Sequence, residues 1–490
     1  MISSTRNSYV AMSGLSIGIF IAALDQTVVV TALPSVISDL SVSFTRLNEA
    51  AWIVTGYLLG YTVAMPFLGR VADVYGHRRT YLACSLMFVA GSLLCGVSRD
   101  LYWLIGARML QAVGGGAIVP VAVAIAGYEF DARRRGLVLG AIGAIAEAGG
   151  VLGPLYGAFV VEHLSWRWIF YLNLPIGLLM IGLTYFFARE GRRSSGALDF
   201  VGAALISASL AALTIGLSQE ADTFASSTPL FVAFLLLFAL FVLAESRASH
   251  PLLDLRLFTR MAFSSGIAAN FLVGVALIIA MVDVPLMATT ILQRSPLDGG
   301  LMLVRLTAAL PIGAIVGGML CQRTGLRATA ASGLAVSATG LYLTAQWTSQ
   351  VDEWRITRDL ALAGVGFGLV IAPITSSVLS SAGSEHSGTA SAYVTVLRTI
   401  GMMVGLSALT SWGLGRFNSL VGSIPLPLPI DGEATEAFQQ RLQVYQQEIL
   451  QATNLVFNEV FLAAAGVCLM AIIAVLFLGN RASLQELAES

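Results

Sequence analysis

The chain contains no lysine: all 27 of its basic residues are arginine, which reflects genomic base composition and not mechanism. Charge of either sign is scarce. Only 11% of the 490 residues are charged, against about 25% in soluble domains, so the chain is an integral membrane protein. The net charge of −1 carries no information about partners, because the charges are segregated into loops; no nucleic acid is expected among them. Cysteine is equally sparse. Cys84, Cys95, Cys321 and Cys468 all fall in apolar runs, which excludes a disulfide framework and metal-ligand spacing and makes them small buried hydrophobes. There is no P-loop and no nucleotide or metal motif, and no polar stretch long enough for a soluble domain beyond one loop. An enzyme or sensor is therefore not expected, and no cofactor is. No cleavable leader is evident either. Only Arg6 precedes the first apolar run and no small-residue cleavage site ends a short core, so the first span is expected to be retained.

What is abundant is apolar sequence, 57% of the chain with mean hydropathy +0.81. Runs long enough to cross about 30 Å of hydrocarbon occur at 10–33, 47–69, 80–98, 101–126, 136–161, 166–188, 198–218, 229–245, 262–287, 299–321, 329–346, 357–380, 389–412 and 456–478. Lipid offers no partner to backbone N–H and C=O groups, so these fourteen runs are expected to be helices and the fold all-α. Arg70, Arg78 and Arg79, Arg133 to Arg135, Arg189, Arg192 and Arg193, and Arg247, Arg256 and Arg260 all fall in alternate loops. The positive-inside rule then places both termini in the cytoplasm of a cell-membrane (inner-membrane) protein. The longest polar stretch, 413–455, opens with IPLPLPIDG and continues with Phe438, Leu442, Tyr445 and Ile449 at helical spacing. It is expected to be a short amphipathic helix on the outer surface.

An internal repeat organises the chain. Gly69, Asp73, Gly76 and Arg78 in GRVADVYGHRR recur as Gly318, Gln322, Gly325 and Arg327 in GMLCQRTGLRA, at an offset of 249 and at the same point of the topology. Repeats in a hydrophobic chain of this length imply two related bundles with a site between them. Residues 1–190 would form one six-helix bundle, 191–260 an inserted helix pair with linkers, and 261–490 the second bundle with its outer loop 413–455.

Charges inside the spans are the candidate site. Asp25 lies in IGIFIAALDQTVVVTALP, about 14 Å from the outer end of its span. A carboxylate there costs roughly 2.5–3.5 kcal/mol on insertion scales, which makes proton or substrate binding the leading reading. Arg108, about 10 Å into the fourth span, is its natural partner. The pair serves exchange if a proton or cationic substrate competes for Asp25, and is a permanent interhelical staple otherwise. Glu147 near mid-span in the fifth run is a second proton or cation site. Asp283 and Arg305 lie at similar depth on adjacent spans and are expected to pair, as a gate or as a staple. Arg398 lies deeper, where it would neutralise Glu147 or anchor an anionic group. Met, Phe and Tyr suit a polyspecific pocket, but no one of them is singled out from sequence.

Five segments resemble motifs of the major facilitator superfamily, in its 14-helix drug:proton antiporter type. They are LDQTVVVTALP (24–34), GRVADVYGHRR (69–79), LIGARMLQAVGGGA (104–117, with Arg108 and Gln111), GGVLGPLYGA (149–158) and WRWIFYLNLPIG (166–177). The resemblance implies two six-helix bundles with pseudo-twofold symmetry plus two inserted helices. It further implies proton-coupled antiport that exports amphiphilic drugs or toxic compounds; a proton-coupled carrier of a metabolite, siderophore or organic anion is the alternative. Partners are then a small molecule, protons and the lipid bilayer, with no obligatory protein. Asp73 would latch onto a helix N-terminus of the opposite bundle, pinning the outward-facing state, or else sit in a local turn as a solvated Asp–Arg pair. Gly149, Gly153, Pro154 and Gly157 would let another helix approach closely and seal one access path. The chain departs from the motifs at Val30, where the first-helix motif often has Asn, at Val74 and His77 for basic residues, and at Ala112 and Ala158 for glycines.

Overall fold

A computed structural model describes residues 2–43, 46–129, 132–190, 199–217, 224–248, 255–382, 387–428 and 435–479. These form fourteen long helices. The first bundle contains α1 (Ile2–Asp39), α2 (Leu47–Tyr75), α3 (His77–Gly96), α4 (Leu101–Glu129), α5 (Ala132–His163) and α6 (Arg167–Phe187). Then come α7 (Phe200–Leu217) and α8 (Phe224–Arg247), and a second bundle of α9 (Met261–Thr290), α10 (Pro296–Thr324), α11 (Leu326–Thr344), α12 (Glu353–Ala382), α13 (Ser387–Val421) and α14 (Thr435–Val475). α1 begins and α14 finishes at one end of the molecule, termed the inner end below.

Twelve helices are long and apolar enough to cross a membrane on composition alone, counting described residues. α5 and α11 stand outside that set, and α11 is 19 residues long. Its inward stripe is small and hydroxylated (Thr329, Gly333, Ser337, Gly340 and Thr344), and it lies between α12 and α14.

Two inter-bundle contacts dominate, α5 with α10 and α2 with α13. The repeat maps α2 onto α10 and α5 onto α13, so the two contacts are one contact related by the pseudo-twofold. The loop repeat supports the same axis. Gly76 (φ 109°) and Gly325 (φ 87°) are the two positive-φ glycines among the described residues, and each turns the chain between paired helices. α7 and α8 pack on each other beside the bundles. α8 turns Leu235, Leu236, Leu240 and Leu243 outward, the composition of a lipid-facing helix.

The hydrophobic core is distributed unevenly. Leu24, Val28 and Val36 of α1, Ile53 and Leu58 of α2, and Ile169 and Phe170 of α6 belong to one continuous cluster with the core of the second bundle. Leu15, Ile19, Tyr81, Phe88, Ile125 and Met180, from the inner half of the first bundle, form a cluster of their own. The bundles are thus fused by apolar packing toward the outer end, and among the described residues the inner half of the first bundle stands apart.

One sequence expectation is corrected. The amphipathic stretch after IPLPLPIDG is not a separate surface helix but the first half of α14, a continuous helix of 41 residues. At 1.5 Å per residue α14 is about 61 Å long, twice the hydrocarbon thickness. α13 likewise overruns the outer boundary to Val421, and Arg416 Nε meets Glu459 Oε2 at 3.0 Å between the two helices. No Pro or Gly interrupts 435–465, so the helical hydrogen bonding propagates out of the membrane instead of stopping at its surface.

Candidate functional site

Asp25 is fully buried in α1, and the helices around it supply donors to both of its oxygens. Arg108 Nη1 from α4 donates to Oδ2 at 2.6 Å, and Nη2 to the Asp25 carbonyl at 3.3 Å. Oδ1 accepts from Gln111 Nε2 at 3.0 Å and from Asn173 Nδ2 of α6 at 3.1 Å. Both amides also donate to Ser92 Oγ of α3, each at 3.1 Å, and the Ser92 hydroxyl donates in turn to the Phe170 carbonyl. Gln111 Oε1 in turn accepts from Arg108 Nη1 at 2.8 Å. The guanidinium carbon lies 3.9 Å from the Tyr57 ring centroid, a cation–π contact that helps a charge held at 1% exposure.

The spacing of Arg108 and Gln111 explains their joint action: residues three apart on a helix share a face. The structure brings Asp25 and Arg108 together as expected, and places Gln111, named from the sequence only as a motif and gating residue, on the same carboxylate. It adds Asn173, Ser92 and Tyr57. Asn173 carried a signal, an amide amid the apolar residues of WRWIFYLNLPIG, whereas Ser92 and Tyr57 carried none, since a hydroxyl in a span commonly bonds its own helix.

Gly149, Gly153 and Gly157 of α5 line up at a spacing of four, and the helix they admit is α1 of the same bundle. A methyl group on Gly149 would meet the Phe20 carbonyl at 2.5 Å, and one on Gly157 the Val28 carbonyl at 2.5 Å. The next face of α5 meets the other bundle, where Ala158, standing at a motif glycine, packs over Gly300 of α10. The small residue missing on one side of the interface is present on the other.

The remaining candidates are dispersed. Asp283 and Arg305 do not pair, contrary to expectation. Arg305 Nη2 reaches Glu353 Oε2 at 2.7 Å, and Arg294 binds the same carboxylate. α10 packs against α12, and a long arginine stem carries its charge toward the outer end, where Glu353 starts α12. Asp283, part-buried on α9, has no ion-pair or hydrogen-bond partner among the described residues, and neither does Arg398 of α13. The side chain of Glu147 lies outside the described residues. Asp73 is engaged locally, with His77 Nε2 at 3.2 Å and Arg70 at 3.7 Å. Arg78 bonds the Tyr185 carbonyl at the end of α6, and its own N–H donates to Glu190 Oε1 at 3.1 Å. Gly69 and its repeat mate Gly318 have open space where a side chain would be.

A family model described as Major Facilitator Superfamily matches residues 15–406. The chain belongs to the Major Facilitator Superfamily and is a multi-pass membrane transporter. It is 34% identical to a triacylglyceride transporter of Mycolicibacterium hassiacum, over 98% of this chain and 94% of that one. It is 35% identical to a triacylglyceride transporter of Mycobacterium tuberculosis (strain ATCC 25618 / H37Rv), over 96% and 95%. Among solved structures, a bacterial homolog of the human lysosomal transporter Spinster, in an inward-facing and occupied conformation, superposes with TM-score 0.65 at 15% identity, covering 95% of each chain. The human organic anion transporter MFSD10 gives 0.60 at 15% identity, covering 96% of this chain and 99% of that one. The superfamily is established; the drug-antiporter subtype that the motifs resemble is not what these relatives are named for.

Proposed function

We propose that the chain is a proton-coupled exporter that moves a neutral or amphiphilic, lipid-like organic compound by alternating access. The observation that carries this reading is Asp25, a carboxylate at mid-membrane whose two oxygens are held by Arg108, Gln111 and Asn173. A proton on Asp25 cancels the charge that balances Arg108 and leaves the guanidinium buried without its counter-ion. The cluster then has two electrostatic states, and a transporter whose bundles rock between two arrangements can bias one with the other. Glu147, Asp283 and Arg398 are further candidates for proton or substrate binding. The substrate class is supported by the relatives named triacylglyceride transporters, and by the apolar and aromatic character of the bundle interface, where Tyr57, Tyr61 and Met65 meet Val396, Leu397 and Ile400. Arginine-rich inner loops support an inner-membrane location with both ends cytoplasmic.

The test is exchange in proteoliposomes with an imposed pH gradient, using a fluorescent triacylglyceride and following internal pH. Asp25→Asn is expected to lose proton-driven transport about tenfold or more, equivalent to about 1.4 kcal/mol on the driving step. Wild-type rates and wild-type proton flux in both Asp25→Asn and Glu147→Gln defeat the coupling assignment. A second reading, export of cationic drugs, is favoured by the unpartnered Asp283. It requires extrusion of a cationic dye that Asp283→Asn abolishes, with triacylglyceride movement absent from the wild type.

A further inference from the structure

Pro154 lies inside α5. As an imino acid it has no N–H to give the carbonyl four residues back, which is that of Gly150. In a span there is no water to satisfy such a carbonyl, so some other donor must. That donor is on α1. Thr27 Oγ1 lies 3.1 Å from Gly150 O and 3.2 Å from Leu24 O of its own helix. Leu24 O faces the N–H of Val28 one turn on, whereas Gly150 O faces no N–H at the corresponding place, so the single hydroxyl proton is directed to Gly150. Room for the contact comes from Gly153, where a methyl group would sit 2.0 Å from Thr27 Oγ1. One turn further, Thr31 Oγ1 lies 3.2 Å from the carbonyl of Pro154 itself. The same turn of α5 faces the other bundle, with Pro154 O and Ala158 against Gly300 of α10. Thr27 is two residues from Asp25.

We propose that Thr27 is a positioning residue of the transport cycle. Its hydroxyl replaces the N–H that Pro154 lacks and ties the helix of Asp25 to the Pro154 turn of α5, which packs against α10 at the outer end. This rests on the transport reading above for the cycle in which it acts; the hydrogen bond stands on geometry alone. A threonine that merely fills space between helices would be replaced without loss by valine, which has its shape and no donor.

The discriminating experiment is a double-mutant cycle on the purified full chain in lipid nanodiscs, comparing wild type, Thr27→Val, Thr27→Ser, Pro154→Ala and Thr27→Val/Pro154→Ala. Spin labels at Leu164 and Trp354, both exposed near the outer end, report outer closure, and thermal unfolding reports stability. Thr27→Val is expected to shift the closed-to-open ratio about tenfold and to lower the unfolding midpoint, because a part-buried acceptor is left unpaired. Thr27→Ser keeps the donor and stays within about twofold of wild type. Pro154→Ala restores an N–H to Gly150 O, so Thr27→Val causes no further change in that background. Equal effects of valine and serine, or additive effects of Thr27→Val and Pro154→Ala, overturn the proposal. Unfolding alone decides the cycle if the Pro154→Ala protein no longer closes at the outer end. None of these readouts uses a proton gradient, so wild-type proton coupling in both Asp25→Asn and Glu147→Gln defeats the coupling assignment without touching the hydrogen bond, and an overturned double-mutant cycle leaves the coupling assignment standing.

Discussion

Asp25 and Arg108 are each nearly inaccessible, at 0% and 1% exposure, and neither is tolerable there alone. A buried pair roughly breaks even against an apolar substitute, but removing one member leaves the other uncompensated, at about 3–5 kcal/mol. Arg108→Ala is therefore expected to destabilise by that amount in detergent unfolding, and Asp25→Asn/Arg108→Ala to recover a large part of it. Additive losses in that cycle indicate that the two residues do not act as a pair. The partnership was legible because both charges stood out in apolar runs at matching depth. The Oδ1 half of the cluster was not, since Asn173 reaches Asp25 only after α6 has packed beside α1, and Ser92 reaches the two amides only after α3 has packed on α4 and α6. Equal depth failed as a guide for Asp283 and Arg305. Depth says nothing of which way a side chain faces, and a long arginine side chain takes whichever acid its helix turns it toward, here Glu353.

Among elements, α5 does the most with the least side chain. One face of glycines admits α1 and the adjacent face meets α10, so bulk added at either should separate different partners. Gly300→Leu is expected to hold the outer ends apart, because even a methyl there meets Ala158 at 2.1 Å; exchange should fall about tenfold. Gly318→Ala, into open space, should leave exchange unchanged. Equal rates for the two variants remove the outer contact from the cycle. The glycine spacing foretold a close helix approach but not its partner. α14 shows a different limit. Its polar first half and apolar second half read as two objects because the solvent changes at the membrane boundary, yet backbone hydrogen bonding takes no notice of that boundary and carries on for 41 residues.

For the whole molecule, the outer half of the first bundle shares a core with the second bundle, and its inner half keeps a separate one. Alternating access then predicts reciprocal movement. Labels at Tyr75 and Arg323, exposed near the inner end, should approach one another under conditions in which labels at Leu164 and Trp354 separate. Double electron–electron resonance in nanodiscs, with the pH set above and below that at which the proposed coupling carboxylates titrate, measures both distances. Distances that change at one end only would exclude rocking of two rigid bundles. The sequence by itself determined the helices, their number, the repeat and the family, because hydrocarbon permits one backbone solution and the repeat leaves glycines at the same two turns. Only the tertiary structure decided which charges meet, which helix fills the glycine face and which end is sealed. Those depend on the rotation of each helix about its axis, which is fixed by contacts with residues distant in the chain and leaves no periodic trace in a span that is apolar all round.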